Sequence, residues 1–275
     1  ADSDGGLRII DISDPSDPFE AGFCNTDYRA SGVDISGNYA FMACSYDGLR
    51  IIDISNPADI SEIGHYNTPG PAMSVAVSGG YAYVANWNAG LIVIDISDPV
   101  NPVEAGNFSR EGSIRSVSLS ADAAYLADER AGLIAIDIND PANPVETGFY
   151  DTPDISYGIA VSGNYAYIAN YQDGLRVIDI SDPANPAEAG ICDTPGIAYH
   201  VDLCGSYAYV ADWWGGLRII DISDPANPVE TGFYQASGVN DVLVSGNFAY
   251  LPAIARLLIL DISEPANPVE TTFLE

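Results

Sequence analysis

The sequence predicts an all-β propeller built from four-stranded blades. Three observations point there. A marker aspartate after a short apolar run recurs at Asp11, Asp53, Asp95, Asp137, Asp179, Asp221 and Asp261, at five intervals of 42 residues and a last one of 40. A fixed period in the low forties is the signature of a repeat architecture. Each period holds four short strand-like segments, which is the composition of a propeller blade. No window sustains helical periodicity, which excludes an α-solenoid, and a β-helix would need shorter coils.

The four segments are named A to D here, using one repeat as the example. Segment A is Gly158–Val161, B is Tyr165–Ala169, C is Leu175–Ile180 and D is Ala187–Cys192. C is a β-branched apolar run, and the Ser-Asp-Pro-Ala-Asn-Pro that follows it presets the φ angles of a turn. C and D therefore form a hairpin, present seven times. Residues 1–24 supply one C–D pair. Six A–B–C–D sets follow, opening near Ser31, Met73, Arg115, Tyr157, Tyr199 and Asn240, and the last D strand is Val269 to Leu274. The expectation is one domain over 1–275 with seven blade positions, six complete and one partial; six blades plus an extra hairpin is the alternative. Ala1-Asp-Ser-Asp-Gly-Gly6 aligns with Ala211-Asp-Trp-Trp-Gly-Gly216. The chain is therefore expected to begin inside a blade, either because an upstream part was removed or because its circular order starts at C. No signal peptide is visible.

Two repeated features read as structural. Thirteen acids occupy the two acidic positions of the Asp-Ile-Ser-Asp-Pro element. Calcium needs several oxygens converging on one point, whereas these are spread one pair per blade, so each acid is expected to cap backbone N–H groups of its own turn. The B-strand pairs Tyr81/Tyr83, Tyr165/Tyr167 and Tyr207/Tyr209 alternate at period two, so each pair shares a sheet face and is expected to pack between blades.

The C strands Leu91-Ile-Val-Ile-Asp95, Leu175-Arg-Val-Ile-Asp179 and Leu7-Arg-Ile-Ile-Asp11, each followed by Ile-Ser-Asp-Pro, resemble the LVIVD repeat. The resemblance extends over nearly the whole chain. It implies a propeller, often in secreted or surface-attached proteins, and it carries no catalytic motif.

Charge narrows the partners. The chain has 39 acids and 9 bases, a formal charge of −30, and every base is arginine. Nucleic acid and anionic membranes are poor partners for such a surface. No apolar run approaches a membrane span, so membrane insertion is not expected. A self-repelling extracellular or cell-surface protein is expected, and adaptation to high salt is a sharper version of the same reading. The four cysteines fit no metal spacing. Cys24 and Cys44 end strands on one face, where a disulfide is possible; Cys192 and Cys204 sit at opposite faces and are expected to remain thiols.

Positions that vary while the frame is constant are candidates for function. The B–C and D–A loops gather on one face. The B–C loops start at Cys44, Asn86, Asp128, Asn170 and Asp212, and the D–A loops include Tyr28-Arg29 and Ile197 to His200. The expected ligand-binding residues on this face are Tyr46, Trp87, Tyr171, Trp213, Trp214, Tyr157, Tyr199 and His200. Exposed aromatics among polar neighbours suit a protein or a polysaccharide; the alternative is that the rings fold inward and plug the channel. His200, Asp202, Asp34 and Asp241 share A-strand positions and could form an acidic cluster. No Gly-x-Ser-x-Gly, His-Glu-x-x-His or phosphate loop occurs, and neither a metal nor a cofactor is expected. The expected function is thus a non-catalytic extracellular or cell-surface binding scaffold, recognising a glycan or a protein. The rivals are a glycan-acting lyase or hydrolase centred on His200 and a structural assembly subunit whose unpaired C–D hairpin accepts strands.

Overall fold

A computed structural model describes residues 6–26, 29–254 and 256–274. Tyr28 and the Ala1–Gly5 part of the opening alignment lie outside the described residues. The first sheet has two strands, β1 (Leu7–Asp11) and β2 (Phe19–Cys24). Six antiparallel sheets of four strands follow, each in simple A–B–C–D order. They are β3 (Gly32–Ser36), β4 (Tyr39–Ala43), β5 (Leu49–Asp53) and β6 (Ser61–Tyr66); β7 (Ala72–Ser78), β8 (Tyr81–Asn86), β9 (Gly90–Asp95) and β10 (Val103–Phe108); and β11 (Ile114–Ser120), β12 (Ala123–Asp128), β13 (Gly132–Asp137) and β14 (Val145–Tyr150). The remaining three are β15 (Gly158–Ser162), β16 (Tyr165–Ala169), β17 (Leu175–Asp179) and β18 (Ala187–Cys192); β19 (His200–Cys204), β20 (Tyr207–Ala211), β21 (Leu217–Asp221) and β22 (Val229–Tyr234); and β23 (Leu243–Ser245), β24 (Phe248–Ala253), β25 (Arg256–Asp261) and β26 (Val269–Leu274). The fold is an all-β propeller of six complete blades and a partial seventh sheet.

The chain divides into two compact units. The first holds 1–11, 19–129 and 134–147; the second holds 12–18, 130–133 and 148–275.

Within each unit the core lies between successive blades. In the second unit Tyr167, Leu175 and Val177 of one blade pack with Val201, Ala208, Val210 and Ile220 of the next. In the first, Phe41, Leu49 and Ile51 meet Val75, Val84 and Ile94 in the same way. Tyr83, Tyr125, Tyr167, Tyr209 and Tyr250 are all buried, which is the inter-blade role expected of the B-strand tyrosines. The central strands are covered on both faces, so they read as unbroken apolar runs rather than alternating ones.

The repeated turn works as a set of backbone caps. The Asp179 carboxylate accepts the N–H of Ser181 at 2.8 Å, and Asp182 accepts that of Ala184 and the amide of Asn185. Asp95, Asp98, Asp221 and Asp224 repeat the pattern. Hydrogen bonds from Ser181 hold Asp179 below the usual carboxylate range. The turn of one blade then packs over the D strand of the blade before it, and this requires a glycine there. A Cβ on Gly190 would lie 2.4 Å from the Pro225 carbonyl oxygen, and one on Gly64 would lie 2.1 Å from that of Pro99. The equivalent position in β26, the last D strand, is Thr272.

The D-strand glutamates absorb most of the positive charge. Glu20, Glu62, Glu146, Glu188 and Glu230 bond Arg8, Arg50, Arg110, Arg176 and Arg218, while Glu104 and Glu270 accept the hydroxyls of Tyr66 and Tyr234. All four cysteines are free thiols, so Cys24 and Cys44 do not pair. Burial pushes the Cys44 thiol up to about 12, which makes it a poor nucleophile.

Candidate functional site

The aromatic loops are built on two layers of polar structure. The polar residue at the end of the B strand, Asn86, Asn170 or Asp212, turns inward. Asn170 donates to the Asp154 carbonyl at 2.7 Å, and Asn86 donates to the Gly70 carbonyl at 2.8 Å. Asp212 accepts the Thr194 hydroxyl at 2.6 Å and the Gly196 N–H at 2.8 Å. These fully buried groups tie the B–C loop to the entry of strand A in the same blade. Burial raises the Asp212 carboxyl above the usual range, against the pull of these hydrogen bonds and of Arg218.

The next residue links to the following blade. Tyr171 and Trp213 sit at φ 47° and φ 44°, left-handed backbone that costs a bulky side chain about 1–2 kcal/mol. Trp213 and Val239 exchange two backbone hydrogen bonds, and the Ala198 N–H donates to the Tyr171 carbonyl at 2.9 Å. Ser45 and Ala72 make the same two-way bridge in the first unit. The bridge fixes where the ring of the left-handed residue emerges.

The result in the second unit is a continuous strip of four rings. Tyr171 lies 5.8 Å from Tyr157, Tyr157 lies 4.7 Å from Tyr199, and Tyr199 lies 5.3 Å from Trp213, centroid to centroid. Adjacent rings are tilted by 39–51°, at centroid separations within the range over which aromatic pairs attract. All four are partly exposed, so they do not form a sealed plug. Trp214 follows Trp213 in the chain and is 53% exposed; its carbonyl accepts the Gln235 amide at 2.6 Å. Tyr46 and Trp87 belong to the first unit. Tyr46 is 69% exposed, and Trp87 lies under the Arg115 guanidinium at 4.7 Å.

His200 follows Tyr199 at the start of β19. Its Nδ1 is 2.9 Å from the Asp241 carboxylate, with the side chains 36% and 55% exposed. Burial opposes protonation of His200, but Asp241 outweighs it and raises the imidazole above its usual value. The other A-strand acids are used elsewhere. Asp202 accepts the N–H of Val244 at 2.7 Å, and Asp34 accepts that of Val77 at 2.7 Å, each on the A strand of the next blade. They cap an otherwise unpaired sheet edge. Among the described residues no group of three or more His, Cys, Asp or Glu side chains is arranged to hold a metal ion.

The strip thus brings together Tyr157, Tyr171, Tyr199 and Trp213, with His200 and Trp214 as chain neighbours. The buried Asn and Asp at the base of the loops, and the left-handed bridge above them, were not anticipated. Their signal is positional: residues 44, 86, 128, 170 and 212 fall on the 42-residue frame and are Cys, Asn, Asp, Asn and Asp.

A family model described as the LVIVD repeat matches residues 1–26, 29–68, 69–109, 111–152, 155–194, 195–236 and 238–273. No curated protein is similar to this chain in sequence. Among solved structures, the chain resembles the β-propeller domain of Cps50 (Swd1) from Myceliophteria thermophila, at 15% identity and a TM-score of 0.71, covering 91% of this chain and 88% of that one. It resembles a chain of a mitotic checkpoint complex at 8% identity and a TM-score of 0.75, covering 90% and 80%. It also resembles the computationally designed Ika8 protein at 12% identity and a TM-score of 0.70, covering 99% and 81%. These likenesses are of fold alone. No helix among the described residues is long and apolar enough to cross a membrane.

Proposed function

Because this chain belongs to the LVIVD-repeat family and folds as a propeller, we propose that it is a non-catalytic binding scaffold of the cell exterior or cell surface. Its partner is a protein, engaged across the Tyr171–Tyr157–Tyr199–Trp213 strip. The observation that carries this reading is the strip itself: four partly exposed rings in contact, anchored by backbone bridges that hold two of them in strained geometry. Partly exposed, pre-ordered aromatics give contact area at small entropic cost.

A protein is favoured over a polysaccharide by the ring tilts. A sugar stacks on an open ring face, whereas Tyr157 and Tyr199 each have ring neighbours on two sides. The acid excess favours a partner with basic segments, because Arg8, Arg50, Arg110, Arg115, Arg176 and Arg218 are already ion-paired among the described residues. A glycan-acting enzyme would need His200, Asp202 and a second acid converging on one substrate, but Asp202 is bonded to the Val244 N–H and His200 pairs with Asp241.

A displayed random-peptide library, panned on the intact protein, tests the proposal. Selected peptides should be rich in Arg or Lys and should be lost by the Tyr157→Ser, Tyr199→Ser double variant. Peptides that bind the variant equally well, or tryptophan fluorescence that responds only to polysaccharides, would overturn it.

A further inference from the structure

The residue that follows the loop bridge varies between blades. Ala72, Ala198 and Val239 bridge to Ser45, Tyr171 and Trp213. The residues after them are Met73, Tyr199 and Asn240, and the 42-residue frame adds Arg115 and Tyr157 to this series. In the first unit Arg115 stacks over Trp87, with its guanidinium carbon 4.7 Å from the ring centroid. The same guanidinium is bonded to the Glu129 carboxylate. Trp87 and Trp213 stand on one frame position, three periods apart. The chain therefore contains a worked example of how a tryptophan at this position is met: a planar cation lies over the ring and a carboxylate holds the cation. Trp213 differs in what its own chain brings to it. It is partly exposed and has Tyr199 as a ring neighbour at 5.3 Å. The place of Arg115 is held by Asn240, an exposed residue directly after the Val239 that bridges to Trp213. A carboxylate follows at once in Asp241, whose side chain is 55% exposed and is drawn to the blade of Trp213 by His200.

We propose that the Trp213 end of the aromatic strip is an arginine subsite, an inference that rests on reading the strip as a protein-binding surface. A guanidinium from the partner takes over Trp213 the place that Arg115 takes over Trp87, and Asp241 serves as its carboxylate. The geometry selects arginine rather than lysine. A guanidinium is planar and weakly hydrated, so it can stack on a ring face while its N–H groups bond a carboxylate. A lysine ammonium is a compact, strongly hydrated point charge that cannot do both in the same way. The chain's net charge of −30 attracts either cation, so charge brings the partner in and stacking decides between the two. The ring is also ready in advance. The two backbone bonds between Trp213 and Val239 fix its loop, so little further order is lost on binding.

The test compares two synthetic peptides of equal charge, one of alternating glycine and arginine and one of alternating glycine and lysine. Each is titrated against the intact protein carrying Trp87→Phe and Trp214→Phe, so that emission reports Trp213. The arginine peptide should bind more tightly by about threefold or more. Asn240→Arg puts the chain's own guanidinium beside Trp213 and should remove that preference. Asn240→Lys adds the same charge; it should weaken both peptides alike and keep the preference. Asn240 is exposed, so neither variant disturbs the core. Equal affinity for the two peptides, no binding of either, a preference that survives Asn240→Arg, or one lost equally with Asn240→Lys would each overturn the arginine subsite. The protein-binding reading fails separately. Peptides that bind equally, yet are both lost by the Tyr157→Ser, Tyr199→Ser double variant, leave the strip as the binding surface, whereas peptides that bind that variant unchanged remove it.

Discussion

Trp213 and Val239 exchange backbone hydrogen bonds of 2.9 and 3.2 Å while Trp213 sits at φ 44°. The bridge joins the B–C loop of one blade to the D–A loop that enters the next, and it sets the last ring of the aromatic strip. Strain at a single residue is tolerated because its surroundings over-determine it. The same logic identifies where strain serves nothing.

Ala121 is such a position. It sits at φ 48° in an A–B turn whose equivalents are Gly37, Gly79, Gly163, Gly205 and Gly246, all at φ 57–60°. Ala121→Gly should raise stability by about 0.5–1 kcal/mol, since relief of the left-handed strain exceeds the added unfolded-state entropy. Denaturant unfolding checks this through a higher midpoint at unchanged slope.

Gly190 should respond in the opposite direction. Its missing Cβ leaves room for the Pro225 carbonyl, so Gly190→Ala should cost about 1–3 kcal/mol. Thr272→Gly, at the corresponding place in the last D strand, should bring no comparable gain. Thermal midpoints of the two variants against the unaltered protein decide it.

Asp212 is a carboxyl that burial holds above its usual pKa. A raised carboxyl favours the folded state when protonated, so its contribution is present at low pH and is lost as pH rises through the folded value. Asn86 and Asn170 occupy the same position with a neutral amide. Asp212→Asn should therefore stabilise the protein at pH 7 and flatten the decline of stability between acid and neutral pH. Equal pH profiles for the two proteins would refute the assignment.

His200 and Asp241 bracket a second pH window. His200 is raised, so its part of the pairing is full below the ordinary histidine range and disappears as pH rises through the raised value. Asp241 is lowered, because His200 and the Val242 N–H favour its charged form, so its part is lost as pH falls through that lowered value. Ring-proton NMR should show His200 titrating above the usual histidine value, and Asp241→Asn should bring it down.

The net charge of −30 repels itself, and screening relieves that repulsion. The unfolding midpoint should rise between low and molar salt. Equal midpoints would mean that the internal Arg–Glu pairs already balance the surface.

Much of this fold was legible because the 42-residue frame repeats its own strand and turn chemistry. The B segment Tyr165–Ala169 and the D segment Ala187–Cys192 coincide with β16 and β18, and the capping role of Asp179 follows from an Asp before a Pro-rich turn. The candidate face was legible only as a set of loops. Sequence places Tyr157, Tyr171, Tyr199 and Trp213 in four different loops, and nothing local shows that their rings meet. That depends on left-handed backbone at Tyr171 and Trp213, which β-rich propensity argues against. The roles of Asp34 and Asp202 were hidden for a related reason: their partners, Val77 and Val244, lie about one repeat further along the chain.

The most direct test of the binding surface is emission from a single tryptophan. In a Trp87→Phe, Trp214→Phe variant only Trp213 reports, and it touches Tyr199. A basic peptide selected on the unaltered protein should shift or quench that emission with the same affinity that it shows for the unaltered protein. An unchanged Trp213 signal at saturating peptide, together with a response from a variant that retains Trp87 alone, would place the partner elsewhere and contradict the account.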